Sequence, residues 1–239
     1  MKRVAMLAAA SAFSALSLAA LTACGSGTES DGTTGEPRPS ATETKPPTPA
    51  ERLHGLMVTS ADVDGYRVEP HSDAYRFAES PEDVTLDKQV CAPLAHAVNQ
   101  LPLGDPQAHL VRVLSKDAGA HTYVTLATYT AGGAGTAMDD LKKAVASCGD
   151  GFTAKASGGT STYDSVTAEK VAPAGDDSLG FTTTMTFRGA SHTHHTQVVR
   201  SGDVIGVYFA VDGRAIAETR PSDAKLPVTV VKAQNAKLK

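Results

Sequence analysis

A charge-free run from residue 4 to residue 21, preceded by Lys2 and Arg3 and closed by Leu21-Thr22-Ala23-Cys24, decides where the rest of this chain must fold. The basic start and apolar middle have the layout of an export signal. An ordinary signal ends in small residues. Here a Leu stands three places before a Cys with small residues between, which is the pattern of a bacterial lipobox. The chemistry needs these types: the Cys24 thiol is the nucleophile that takes a diacylglycerol, and Thr22 and Ala23 fit a narrow peptidase site. Residues 1–23 are therefore expected to be a cleaved lipoprotein signal, with Cys24 the point of lipid attachment. The competing readings are a signal with an incidental cysteine and a retained membrane helix, for which the run is just long enough. A polar linker follows it, with no stop-transfer pattern. Two acyl chains hold a protein at a bilayer stably where one holds it marginally, so the expected place is the extracytoplasmic face of the cell membrane.

An exported chain meets an oxidising compartment, where a lone pair of cysteines usually closes a bridge. With Cys24 committed to lipid, Cys91 and Cys148 are that pair. In the chain-entropy picture such a bridge stabilises by about 4 kcal/mol. Two free buried thiols or a redox pair are the alternatives, and no Cys-x-x-Cys spacing supports the latter.

Residues 24–50 carry Pro37, Pro39, Pro46, Pro47 and Pro49 among Gly, Ser, Thr and Glu, with no hydrophobic side chain larger than alanine after Cys24. Such a stretch buries too little apolar surface to offset its ordering entropy, and is expected to be a disordered spacer between lipid and domain. Residues 51–239 read as a single globular domain, expected to be monomeric. Loss of Lys2 and Arg3 moves the net charge from -4 to -6, which argues against nucleic acid and against a basic patch on anionic headgroups. Membrane binding then falls to the lipid alone.

Within the domain, Pro49 with Leu53, Leu56 and Met57 at i, i+3, i+4 spacing predicts a short amphipathic helix. Ser80-Pro81-Glu82-Asp83 has the chemistry of a helix cap. A helix over 87–99 would align Val90, Leu94, Val98 and Leu101 beside Cys91. Strands are expected over 110–114 and 122–130. A helix over 136–148 is expected to be capped by Thr136 and ended by Gly149, putting Cys148 within reach of Cys91. Strands follow over 152–156, 165–172, 179–188, 192–200 and 204–211, the last three as an antiparallel meander. A final helix over 222–238 is resisted by Pro227, Val228, Val230 and Val231. The result is an α+β domain: a largely antiparallel central sheet with helices packed mainly on one face and the other face open.

Chemistry is sparse. His192-Thr193-His194-His195 on a strand would put His192 and His194 on one side, where two imidazoles could chelate Zn or Cu, although a catalytic zinc needs about three protein ligands. The plainer alternative is a solvent-facing hairpin edge. The glycine-rich Gly132-Gly133-Ala134-Gly135 lies between strand and helix, but Met138 occupies the third glycine of the dinucleotide fingerprint and no Lys-Ser or Lys-Thr follows, so it reads as a flexible connection. No Gly-x-Ser-x-Gly, Ser-x-x-Lys or His-Glu-x-x-His occurs. The absence of Trp makes a polysaccharide platform less attractive.

The opening helix with Leu53, His54, Gly55, Leu56 and Met57 precedes Asp62-Val63-Asp64-Gly65-Tyr66. The Cys91 helix, Tyr129 leading into residues 137–141, Ala144-Val145-Ala146-Ser147-Cys148 and the Arg200–Val204 turn complete a layout. It resembles actinobacterial lipoproteins whose domain is similar to the extracytoplasmic sensor domain of PknH-type Ser/Thr kinases. The chain departs from that family in having one cysteine pair where two are common, and in lacking tryptophan. The resemblance implies a central sheet, a cleft and ligand binding rather than catalysis. It carries over no ligand-contacting residue. The expectation is a membrane-anchored, non-enzymatic binding or sensing module for an envelope or extracellular ligand, with no cofactor. An envelope enzyme or enzyme accessory, and a metal-binding lipoprotein through His192 and His194, are the alternatives.

Overall fold

The computed structural model describes residues 45–73, 76–117 and 119–239. The signal segment, Cys24 and the linker up to residue 44 lie outside the described residues. Residues 45–239 make one compact unit.

Period-two alternation along the strands builds the sheet and gives it two apolar faces. In β9 (Val204–Asp212), Ile205, Val207 and Phe209 join one buried cluster while Val204 and Tyr208 join another. In β8 (Ala190–Ser201), Val198 and Val199 divide the same way. Ten strands form the sheet among the described residues. Its order starts with β1 (Arg67–Pro70), β3 (Ala108–Ser115) and β4 (Ala120–Thr128), then β9, β8 and β7 (Asp177–Phe187). It ends with β6 (Gly159–Glu169), β5 (Phe152–Ala156) and β2 (Thr85–Leu86). All these neighbours are antiparallel. The exception is β10 (Ser222–Ala224), which lies parallel to β8 along residues 192–194, beyond the end of the β8–β9 pairing. The α+β class and the antiparallel sheet are those expected.

Helix placement departs from the reading of one open face. α2 (Ala92–Ala97) and α3 (Gly133–Ser147) cover the face of the larger cluster. The opposite face is open over β5, β6 and β7. There Thr182, Thr184 and Thr186 are half-buried or exposed, and Thr184 shares a hydroxyl contact of 3.1 Å with Thr193. Across β3, β4 and β9 that face is covered by α1 (Pro49–Leu56) and α5 (Val228–Lys237), which bring Leu53, Met57, Val230 and Leu238 onto Leu114, Val124 and Tyr208. The open-face reading failed because β-branched residues masked the Val230, Gln234, Leu238 stripe. Packing of that stripe outweighs the weak helix propensity of valine.

α1 starts where Pro49 predicts, with the Thr48 hydroxyl accepting from the Glu51 amide and Glu51 accepting from the Thr48 amide. Arg52 ties it to the β8–β9 turn by donating to Asp203 at 2.5 and 2.7 Å. The expected 87–99 helix is split. Pro93 near the start of α2 limits the α-helix to its own side, and a 3-10 turn over Gln89–Cys91 precedes it. Val90 is rotated outward and is 50% exposed, while Leu94, Val98 and Leu101 are buried as expected. α3 begins a turn earlier than Thr136. Gly132 takes the cap position at φ 84°, and a Cβ on Gly133 would stand 3.1 Å from Tyr129 Cβ. The glycine run is therefore the start of a helix, tightly packed at Gly133 and open at Gly132 and Gly135, and not a flexible connection.

Two links set the geometry of this unit. Cys91 and Cys148 are bonded, with 6.0 Å between their Cα atoms, joining the start of α2 to the end of α3 in the larger cluster. On the other face the fully buried Gln234 of α5 accepts from the Val58 amide at 3.0 Å and donates to the Leu56 carbonyl at 2.8 Å. It satisfies the backbone where α1 ends.

Replacing both Cys91 and Cys148 by alanine is expected to lower the unfolding free energy by about 4 kcal/mol. The loss should appear as a fall in Tm of about 10 °C. Gln234→Leu keeps the volume but strands two backbone groups. It is expected to cost about 3 kcal/mol by urea denaturation, with Leu238→Met as a near-neutral control.

Candidate functional site

The residues between β6 and β7 run flat along the sheet because two glycines permit it. A Cβ on Gly175 (φ 60°) would lie 2.2 Å from the Arg200 carbonyl oxygen, and one on Gly180 would lie 2.3 Å from Val171 Cγ1. Asp176 pins the far end of this connection through its amide to the Arg200 carbonyl at 2.8 Å and its carboxylate to the Gly202 amide at 2.7 Å. Helix α5 runs beside it, held by Gln234 and by Tyr208, whose hydroxyl donates to Asn235 Oδ1 at 2.6 Å. Burial of Tyr208 raises its phenol pKa well above the ordinary range, so it remains a donor.

Between the connection and α5 lies a groove of about 410 Å³. Val171, Ala172, Pro173 and Ala174 form one wall, and Leu226, Val228 and Val231 form the other. Gln197 of β8, only 6% exposed, and Asn235 supply amide groups to its lining. Apolar walls with a few placed polar groups, at this volume, are the ordinary form of a small-molecule site.

Charged residues cluster beside the groove on the same face of the sheet. His195, two residues before Gln197, has its Nδ1 at 2.7 Å from Glu169 Oε2 and its Nε2 at 2.7 Å from Asp223 Oδ1. Lys225 Nζ stands 2.8 Å from that same Nε2 and 2.9 Å from Asp223. Lys225, then His195, hold the Asp223 carboxyl below its usual range. Both imidazole nitrogens are occupied by charged partners, none of them a hydroxyl or thiol nucleophile. The arrangement binds β10 to β8 and to the end of β6.

The strand alternation expected for the histidines holds, with His192 and His194 on the face opposite His195. The hairpin-edge alternative does not. His192, His194 and His195 are all buried, because β10 covers the flank of β8 that a simple hairpin would leave open. His192 Nδ1 meets Ser222 Oγ at 2.9 Å. This is a serine–histidine contact, but the other ring nitrogen, Nε2, is buried without a hydrogen-bond partner, so nothing orients the imidazole as a base. His194 packs edge-on to Phe209 with ring centroids 5.2 Å apart. Among the described residues no group of three or more His, Cys, Asp or Glu side chains is placed to hold a metal ion. Cys24 lies outside the described residues.

Reading by sequence missed the groove and the Glu169–His195–Asp223–Lys225 cluster. One local signal existed: a Val-Ala-Pro-Ala segment is followed by Gly175 and Gly180, a composition suited to backbone lying close on a sheet.

No family model matches the chain, and no curated protein matches it. Among solved structures it is similar to the extracellular domain of PknH from Mycobacterium tuberculosis, at 12% identity and a TM-score of 0.48, covering 81% of this chain and 95% of that one. It is also similar to the Rv0999 ortholog from Mycobacterium smegmatis, at 12% identity and a TM-score of 0.32, covering 74% and 94%.

Burial, then the neighbouring His192 and His195, lowers the His194 pKa to about 4. The folded state resists protonation that the unfolded chain accepts near pH 6.5, so stability falls as pH drops from about 6.5 to about 4. His194 accounts for about 3 kcal/mol of that loss by linkage. In His194→Asn the slope of unfolding free energy against pH over this window should shrink accordingly, measured by urea denaturation at several pH values.

Proposed function

We propose that this chain is a lipid-anchored extracytoplasmic module that binds a small ligand in the groove between α5 and the 171–175 segment. The groove itself carries the reading: an apolar trough with two amides in its lining, built on a sheet and walled by a helix whose polar contacts fix its position. His195 beside it has both nitrogens committed to neighbouring charges, which suits a structural clamp better than a proton-transfer group. Cys24 supplies the anchor, and the Pro-rich stretch after it supplies reach. Among the described residues no helix is long and apolar enough to cross a membrane.

Two measurements test this. Expressed in an actinobacterial host, the full chain should fractionate with membranes and be cut by protease added to protoplasts, and Cys24→Ala should abolish lipidation. Normal processing and membrane retention of an unlipidated Cys24→Ala form would remove the anchor. Separately, residues 45–239, which hold both apolar clusters and the disulfide, should show a raised Tm with an aqueous or an organic-solvent extract of cell envelopes. That rise should be lost in Ala174→Trp, which fills the trough. No shift with either extract would defeat the binding reading. Turnover in a hydrolase or transferase screen, abolished by one Ser, His or Asp substitution, would replace it with an enzyme.

A further inference from the structure

The groove's charged side chains are of one sign. Its charged lining side chains are Lys232, midway along α5, and Lys239, just beyond it, and among the described residues neither ammonium lies within ion-pair distance of an Asp or Glu side chain. No Asp or Glu contributes to the lining. Of the acidic residues nearby, Asp223 and Glu169 engage His195, Asp176 engages Arg200 and Asp62 engages Lys237, while Asp64 lines a separate shallow depression that Lys232 also borders. At the mouth Val228 is 64% exposed. It continues the wall formed by Leu226 and Val231 out into solvent. An apolar trough that opens past an exposed valine, with unpaired ammonium groups along one side, is complementary to a molecule with a greasy chain and a negative head.

From this juxtaposition of apolar walls and unpartnered lysines, we infer that the ligand of the groove is an anionic single-chain amphiphile, such as a fatty carboxylate. The chain lies between the 171–174 wall and Leu226, Val228 and Val231, and the head meets Lys232 and Lys239. Gln197 Nε2 already donates to the Ala172 carbonyl and Asn235 Oδ1 accepts from Tyr208, so Gln197 Oε1 and Asn235 Nδ2 are the amide atoms offered to polar atoms that enter with it. This inference rests on the ligand-binding reading given above and specifies its chemistry. Lysine heads of this exposure contribute modestly, so the chain supplies most of the affinity and the charge supplies preference.

The test uses residues 45–239 with 11-(dansylamino)undecanoate as fluorescent probe, displaced by dodecanoate, dodecanol or dodecyltrimethylammonium, each below its micelle-forming concentration. Dodecanoate should displace the probe about threefold more effectively than dodecanol, and the cationic amphiphile should be weakest. Lys232→Glu combined with Lys239→Glu should erase or invert that order while leaving the fold intact by circular dichroism. Val231→Asp, on the partly exposed wall, should weaken probe binding about tenfold. Equal displacement by alcohol and carboxylate would overturn the anionic head. Full probe binding in Val231→Asp would place the site elsewhere and overturn the proposal. If the probe does not bind while the aqueous envelope extract still raises Tm, the amphiphile is wrong and the binding reading survives. If neither occurs, both fall.

Discussion

A single buried amide holds the covered face of this domain together. Gln234 has no contact with water, yet each end of its side chain meets a backbone group left over where α1 stops. A helix terminus enclosed in apolar surroundings would otherwise carry unmet donors and acceptors at considerable cost. The amide therefore decides which rotation of α5 is tolerated. It sets Val230 and Leu238 into the core and leaves Val228, Val231 and Asn235 at the trough. The groove is a by-product of that choice.

The two faces are stabilised by different means. Around α2 and α3 a covalent bridge joins helices that are otherwise short or rich in small residues, with Ala134, Ala137 and Ala144 allowing close approach to the strands. Around α1 and α5 the connections are polar and directional: Gln234 to the α1 terminus, Tyr208 to Asn235 and Arg52 to Asp203. Polar fastening of this kind tolerates only one geometry, because a shifted helix would leave its partners unsatisfied.

What could be read beforehand followed from local patterns. The strand over 152–156, the antiparallel meander and the cysteine pairing depend on alternation, turn chemistry and compartment, all visible within short windows. The start of α3 was misplaced because Thr136 is an attractive cap, while the actual requirement was close contact between Gly133 and Tyr129. The interrupted helix before Leu94 has the same origin, since Pro93 lies inside an otherwise convincing stripe. The groove and the clamp on His195 were invisible. Glu169, His195 and Asp223 are brought together only once β10 returns parallel to β8, and no spacing in a linear chain announces that return.

The pairing of Leu56 and Val58 with Gln234 joins positions 178 and 176 residues apart. A chain emerging amino end first can build its meander and close its bridge well before its last helix exists. Throughout that interval its first helix has an apolar side and nothing to set it against. Completion waits on the final residues, so the domain stays open until the whole polypeptide is available.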